Sequence, residues 1–231
     1  MKERLGETLY FFRSHLGVLL LVTLPFAAAA AFAVHLWREP VAMADADAQP
    51  ELHWQSALAL ILLQPLSLAA KVLGIHQVVQ DGRLAPGLLL RDALGRFGTL
   101  FLLGFTVGVP VLLGLYFLII PGVYVYARLG YAPLLVLLEG RGALEATAAS
   151  WRLTRDDQGE LFALTLLLGG VAVGGMLLVF QLVAGAGAQD ALGGDLAARV
   201  VGELLFCLPT IAFYRYWTLR RGTPGMGSEP P

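Results

Sequence analysis

Ionisable side chains lie inside long apolar stretches of this sequence, where a charge can form an ion pair, bind a ligand or carry a proton. Four of them draw attention by their position: Lys71, His76, Arg128 and Glu203. A charged side chain near the centre of a membrane-spanning helix costs about 2.5–3.5 kcal/mol on insertion scales. Each of the four therefore needs a partner, an aqueous path or access to the membrane interface, and each is a candidate for function.

Arg128 and Glu203 fall at similar depths if both stretches are helical. Arg128 lies six residues beyond Gly122, which is about 9 Å along a helix that rises ~1.5 Å per residue. Glu203 lies four residues beyond Arg199, which is about 6 Å by the same rise. We expect an ion pair between Arg128 and Glu203 that joins two spans and neutralises both charges. The alternative is that Arg128 reaches outward to the interface while Glu203 pairs with Arg199 one turn away.

Lys71 and His76 approach one end of their apolar stretch. Because the long stem of a lysine lets its ammonium group reach the interface, we expect Lys71 to extend outward. The alternative is that both residues, with the polar side chains around them, line a path through the membrane.

The residue patterns of common catalytic and metal sites are missing from the sequence. It contains no nucleophile elbow, phosphate loop, zinc helix or paired acidic constellation, and its four histidines share no metal-ligand spacing. Asp156, Asp157 and Glu160 form an acidic cluster that suits the positive N-terminal end of a helix better than a divalent-cation site. We therefore expect no enzymatic activity, no metal and no cofactor.

The elements that position these side chains are six long apolar stretches, each near the ~20 residues that a helix needs to cross a bilayer. They run approximately from Leu16 to Trp37, Trp54 to Val79, Gly98 to Ile120, Val123 to Leu138, Leu161 to Ala184 and Val200 to Leu219. Spanning segments must be helices or strands of a closed barrel, and these stretches lack the alternation of barrel strands. The sequence therefore predicts an all-α membrane protein with six transmembrane helices.

The composition indicates one membrane domain over residues 1–231. Hydrophobic residues make up 57% of the chain and charged residues 14%, a balance that a soluble domain of this length cannot bury. The polar connections are too short to fold as separate soluble domains. Cys207, the one cysteine in the sequence, excludes an intramolecular disulfide.

Basic residues concentrate on one side of the predicted topology. Twelve of the sixteen Lys and Arg residues fall in segments that six spans place together: Lys2, Arg4, Arg13, Arg83, Arg91, Arg96, Arg141, Arg152, Arg155, Arg215, Arg220 and Arg221. The opposite connections carry Arg38 and Arg199 among mainly acidic residues: Glu39, Asp45, Asp47, Glu51, Asp190 and Asp195. By the positive-inside rule, both termini are cytoplasmic.

The first stretch has an alternative interpretation. Basic residues followed by an apolar segment also characterise a cleavable signal peptide. The aromatic residues Tyr10, Phe11 and Phe12, which precede the apolar segment, favour a retained span.

Three cytoplasmic segments have leucines and aromatic residues at helical spacing with arginines between them. They cover residues 3–15, 84–96 and 142–155, and each precedes a pair of spans. Such amphipathic helices lie on membrane surfaces, so we expect Arg13, Arg91, Arg96, Arg152 and Arg155 to contact lipid headgroups. The alternative is that they only anchor the topology. The arrangement also predicts a threefold repeat of a surface helix plus a helical hairpin.

Glycine and proline mark a predicted turn, a kink and helix contacts. Pro121 and Gly122 are the expected turn between the third and fourth spans, and Pro133 should kink the fourth. Small residues four apart let helices in lipid approach closely. They are Gly104 and Gly108 in the third span and Gly170 and Gly174 in the fifth. We expect these glycines to pack helices within the chain, with a homo-oligomer face as the alternative.

Four short motifs carry a family resemblance: Tyr10-Phe-Phe-Arg13, Ile120-Pro-Gly-Val123, Ala132-Pro-Leu-Leu135 and Ser150-Trp-Arg-Leu-Thr154. In order and spacing they resemble the YciC-type bacterial inner-membrane proteins over most of the chain. That family is similar to the membrane portion of some glycerophosphodiester phosphodiesterases, whose catalytic domain has no counterpart here. The resemblance implies a six-helix protein of the bacterial cytoplasmic membrane and supplies no catalytic residue.

Two functional classes follow from these features. In the first, the chain is a non-enzymatic membrane-organising or scaffold component that contacts anionic lipid or a membrane-protein partner, including a second copy of itself. In the second, it carries a lipid-like or small amphipathic substrate through a cavity near Arg128 and Pro133. A tightly packed bundle favours the first, and a lateral opening lined by Arg128, Lys71 or His76 favours the second. Neither class involves nucleic acid.

Overall fold

The computed structural model describes residues 2–37, 53–187 and 192–222. Several charged residues on which the predicted topology depends lie outside these ranges: Arg38, Glu39, Asp45, Asp47, Glu51 and Asp190. The fold is therefore described from the helices and from the connections within these ranges.

The described residues form ten helices and no strand, which confirms the all-α class. The helices are α1 (Lys2–Ser14), α2 (Leu16–Leu36), α3 (Trp54–Asp81), α4 (Pro86–Gly95), α5 (Phe97–Phe117), α6 (Ile119–Leu129), α7 (Ala132–Glu139), α8 (Ala143–Leu153), α9 (Gln158–Gly185) and α10 (Leu192–Arg221). Six of the elements are long and apolar enough to cross a membrane: α2, α3, α5, α6 with α7, α9 and α10. The chain is an integral membrane protein with six helices of this kind in its described part.

Three short helices precede the pairs of long helices. α1 leads into α2, α4 leads into α5, and α8 leads into α9, which is the order expected from the sequence. Each short helix also buries one face against the bundle, such as Leu89 and Ala93 of α4, or Ala146 and Ala149 of α8. The threefold repeat stays a prediction.

The short helices gather at the end of the bundle where α10 finishes. Ion pairs and a hydrogen bond connect the segments there: Arg215 with Glu7, Arg220 with Asp157, Arg221 with Glu139, and Arg96 with the carbonyl of Val136. We call this end, which carries α1, α4, α8 and the C-terminal turn of α10, the basic end.

The core is centred on α7, which packs against α3 and α8, and it continues along α10, which packs against α2 and α9. α7 is buried almost throughout, and α3 and α10 contribute tightly packed residues such as Ala70 and Cys207. By contrast, α5 and α9 expose many large apolar side chains, including Leu112 and Leu178. Apolar surface of this extent along whole helices is suited to lipid rather than to water.

The reversal between α5 and α6 occurs one turn earlier than predicted. Leu118 is extended, with φ −161° and ψ 142°, and it separates the two helices. Pro121 and Gly122, predicted as the turn, instead lie in the first turn of α6. Proline is tolerated there because the first N–H groups of a helix have no intrahelical partner. A Cβ at Gly122 would lie 2.6 Å from the backbone nitrogen of Leu115, so this glycine permits close packing rather than a turn.

The fourth spanning element is interrupted between α6 and α7. α6 ends at Leu129, and Pro133 is the second residue of α7. The Ser150 hydroxyl donates to the Arg128 carbonyl at 2.9 Å and accepts from the Tyr131 N–H at 3.2 Å. A side chain of α8 thus satisfies backbone groups that the break releases, as a membrane interior requires.

The predicted packing glycines do not pack helices within the chain. Among residues 2–37, 53–187 and 192–222, no heavy atom of a neighbouring segment lies within 4 Å of a Cβ built at Gly104, Gly108, Gly170 or Gly174. That prediction is wrong because the faces of α5 and α9 that carry these glycines point away from the bundle. The alternative of a homo-oligomer face stays a prediction.

Candidate functional site

The half-buried carboxylate of Glu203 forms an ion pair that joins α10 to α3. Lys71 Nζ lies 2.6 Å from Glu203 Oε2, and the Ser67 hydroxyl donates to the same oxygen at 2.9 Å. The lysine side chain is 8% exposed, so it turns inward, and the prediction that it extends to the interface is wrong. The carboxylate neutralises the buried ammonium group of the lysine, as a charge removed from water requires.

The predicted Arg128–Glu203 ion pair is therefore wrong. That prediction was based on the similar depths of the two residues in the membrane. Depth does not determine which helices are neighbours, and Glu203 packs against α3. The alternative for Glu203 is wrong as well, because the guanidinium of Arg199 bonds Asp195 at 2.8 Å.

Arg128 lies in a pocket formed by α6, α8 and α9. It is 4% exposed, so it does not reach outward either. Its Nη1 donates to Gln158 Oε1 at 3.0 Å, its Nη2 donates to the Trp151 carbonyl, and its guanidinium carbon lies 4.6 Å from the centre of the Trp151 ring. Its Nε is buried without a hydrogen-bond partner. Its hydrogen-bond partners among the described residues are uncharged.

His76 and the space around Lys71 offer little room for a ligand. His76 Nδ1 lies 2.9 Å from the Tyr214 hydroxyl, so it has a partner on α10. A cavity lined by Lys71, His15 and apolar residues has a volume of about 10 Å³, and a second cavity between α9 and α10 is equally small. Each has about the volume of one water molecule.

Four of the five arginines predicted to contact lipid are exposed. Arg13, Arg91, Arg152 and Arg155 point outward, and none has a carboxylate partner among the described residues. Arg96 differs, because it is half-buried and donates to the carbonyl of Val136. It therefore joins the start of α5 to α7, which corrects the prediction of a free headgroup contact.

Several other cations of the basic end bind carboxylates that are distant in sequence. The pairs are Arg4–Glu160 at 3.2 Å, Arg215–Glu7 at 3.0 Å and Arg220–Asp157 at 2.7 Å. These contacts tie α1, the start of α9 and the end of α10 together. Sequence reasoning missed them, since nothing in the spacing of these residues indicates that their segments meet. The acidic cluster after α8 thus serves as a set of arginine partners.

Comparisons with family models, with curated proteins and with solved structures return no match for this chain. The features that bear on its role are the Lys71–Glu203 pair, the Arg128 pocket and the exposed arginines of the basic end.

Proposed function

We propose that this chain is a non-enzymatic membrane-organising or scaffold component that contacts anionic lipid through its basic end. The observation that carries this proposal is a set of exposed arginines with no carboxylate partner among the described residues. They lie on or beside the three short helices: Arg13, Arg83, Arg91, Arg152 and Arg155.

Exposed leucines on the same helices support this role. Leu9 of α1, Leu90 of α4 and Leu144 of α8 all point outward. In an interfacial helix, such side chains sink into the headgroup boundary while arginines between them meet lipid phosphates. Each cation near an anionic leaflet contributes about 1 kcal/mol, so five of them provide a substantial preference for anionic membranes.

The packing of the charged residues favours a scaffold over a carrier. A carrier was expected to open laterally beside Arg128, Lys71 or His76. Each of these three side chains instead binds a neighbour inside the protein. The cavity beside Lys71 has a volume of about 10 Å³, which is far smaller than a pocket for a lipid-like substrate.

The proposal includes a location and a family. We place the chain in the bacterial cytoplasmic membrane with both termini inside, because the basic residues collect at one end. The order and spacing of the four sequence motifs support membership of the YciC-type family.

Reconstitution of the full chain tests the lipid preference. The protein is placed in nanodiscs of zwitterionic lipid alone or of zwitterionic lipid mixed with phosphatidylglycerol, and thermal unfolding is followed. We expect a higher unfolding temperature in the anionic nanodiscs, with a difference that shrinks as salt is added, since salt screens exposed charges.

Matched variants identify the cause of this difference. Replacing Arg13, Arg83 and Arg91 by Gln should reduce it, because these side chains are exposed. Replacing the exposed carboxylates Asp81 and Asp92 by Asn should increase it. Equal unfolding temperatures of the wild-type chain in both lipids would contradict the proposal. Accelerated transfer of a labelled phospholipid across vesicles that contain the protein would favour the carrier instead.

A further inference from the structure

Arg128 is a buried cation that has no carboxylate partner among the described residues. Its hydrogen bonds go to the amide oxygen of Gln158 and to the carbonyl of Trp151, and its Nε has no hydrogen-bond partner in the part of the chain that the structure describes. Removing a charge from water is costly unless an opposite charge lies nearby. The pocket is therefore electrically incomplete, and an external anion would complete it.

Gln158 offers the anion a pair of donors. Its Oε1 accepts from Arg128 at 3.0 Å and from the Tyr124 hydroxyl at 2.9 Å. Because both donors point at this oxygen, the amide NH₂ must be on the other side, and Gln158 is exposed. This NH₂ group makes no hydrogen bond to another described residue.

The start of α9 adds positive potential at the same place. Gln158 is the first residue of this helix, and no side chain caps the helix because the Asp157 carboxylate binds Arg220 instead. Unpaired N–H groups and the helix dipole both favour an anion at such an end.

The surrounding charges also favour an anion. Arg152 and Arg155, which follow Trp151 in sequence, are exposed. The carboxylates of this segment bind other arginines, Asp156 and Asp157 with Arg220, and Glu160 with Arg4. Arginines therefore outnumber carboxylates in this set, which contains Arg4, Arg128, Arg152, Arg155 and Arg220 but only Asp156, Asp157 and Glu160.

The apolar surroundings indicate a phospholipid. Trp151 is 42% exposed, and Tyr124 packs edge-on against both Trp151 and Phe162. Farther along α9, Leu166 and Leu167 are exposed, so an acyl chain can follow this helix. The 28 residues of α9 measure about 42 Å, which matches a bilayer with its headgroup regions and puts Gln158 at phosphate depth.

We propose that the junction of α6, α8 and α9 binds the headgroup phosphate of an anionic phospholipid. Arg128 supplies the buried counter-charge, Gln158 and the start of α9 supply N–H donors, and Arg152 and Arg155 add positive charge in the same segment of the chain. This site rests on the proposed contact of the basic end with anionic lipid, and it makes that contact specific to one place.

Gln158→Glu tests the site without removing its internal contacts. The variant keeps an oxygen for Tyr124 and Arg128, so the fold is retained, but it replaces the NH₂ donors by a negative charge. Short-chain phosphatidylglycerol is titrated into the full chain in neutral detergent, and bound lipid is counted by native mass spectrometry. We expect one saturable site in the wild type and about tenfold weaker binding in the variant, as the loss of a charge-assisted hydrogen bond implies.

Gln77→Glu is the matched control. Gln77 also lies near the basic end and uses its oxygen to accept a backbone N–H, that of Ala85. Its variant should bind the lipid within about twofold of the wild type. Equal binding by the two variants would overturn the site.

Two further outcomes separate this site from the broader role. Suppose that the wild type is more stable in anionic nanodiscs but that Gln158→Glu binds lipid with the same affinity as Gln77→Glu. The specific site is then refuted, and the proposed function is retained. If the wild type shows neither preference nor saturable binding, both fall. Inorganic phosphate is added as a competitor, and displacement of the lipid by millimolar phosphate would mean a site for free phosphate, which overturns the lipid assignment.

Discussion

Glu203 accepts bonds from two side chains that are one helical turn apart on α3. Ser67 and Lys71 both reach Oε2 of this carboxylate, because residues four apart share one face of a helix. The pair joins α3 to α10 in a region where neither charge has much access to water. The pair therefore has a structural role, because it fixes the alignment of α3 relative to α10.

Breaking this pair from one side should be costly. Glu203→Leu leaves the buried lysine without its counter-charge, so we expect a loss of about 3–5 kcal/mol in the free energy of unfolding. The double variant Lys71→Leu with Glu203→Leu should recover most of that loss, since no lone charge remains. Unfolding of the purified protein in detergent measures both.

The Arg199–Asp195 pair is the control for this experiment. Its side chains are more exposed, and its partners are four residues apart on α10. Asp195→Asn should cost only about 0.3–0.5 kcal/mol. A double variant at Lys71 and Glu203 that is no more stable than Glu203→Leu alone would refute the pairing as a source of stability.

At this scale, the sequence identifies the charges but not their partners. The apolar context made Lys71, Arg128 and Glu203 recognisable as ionisable groups within spans that need a partner or access to the interface. Their partners depend on which helices are neighbours, and single-sequence spacing carries no information on that. The Ser150 bridge to the break before Pro133 was equally inaccessible, because it joins α8 to a backbone interruption that only the folded chain brings near.

At the scale of elements, glycine has two different roles in this bundle. Gly114 and Gly122 lie where α5 and α6 touch, and a Cβ at Gly114 would lie 2.7 Å from the Cα of Gly122. Gly104 and Gly174 have open space beside them. Small-residue spacing along one helix therefore does not distinguish a contact from an outward face.

Alanine substitutions should separate these roles. Gly114→Ala pushes a methyl group into the backbone of α6, so we expect a loss of about 1–3 kcal/mol in the free energy of unfolding. Gly104→Ala on the same helix should be neutral or stabilising by up to about 1 kcal/mol, because alanine is the better helix former. The two variants are compared by unfolding in detergent, and equal losses would mean that the α5–α6 contact is not as close as described.

The long helices were the most predictable elements, and their ends were the least. A long apolar segment without the alternation of a barrel strand must be helical in a bilayer. Hydropathy therefore predicts all six spanning elements. The α5–α6 reversal did not follow, since proline and glycine serve equally well in a turn and in a first helical turn. Leu118, where the chain does reverse, has no residue signal for a turn.

At the scale of the whole molecule, charge and packing divide the protein into two regions. The basic end holds the short helices, the ion pairs that tie α1, α9 and α10 together, and the exposed arginines. The remainder presents apolar surface along α5 and α9. This division suits a protein whose long helices cross the bilayer and whose basic end contacts the headgroups of one leaflet, as we propose.

Cysteine labelling in intact cells tests whether the basic end faces the cytoplasm. Cys207 is buried, so an introduced cysteine is the reactive one. We expect Arg91→Cys and Arg152→Cys to react with a membrane-impermeant maleimide only after permeabilisation, whereas Asp45→Cys, in the connection between α2 and α3, should react in intact cells. Labelling of Arg91→Cys or Arg152→Cys from outside intact cells would contradict the account.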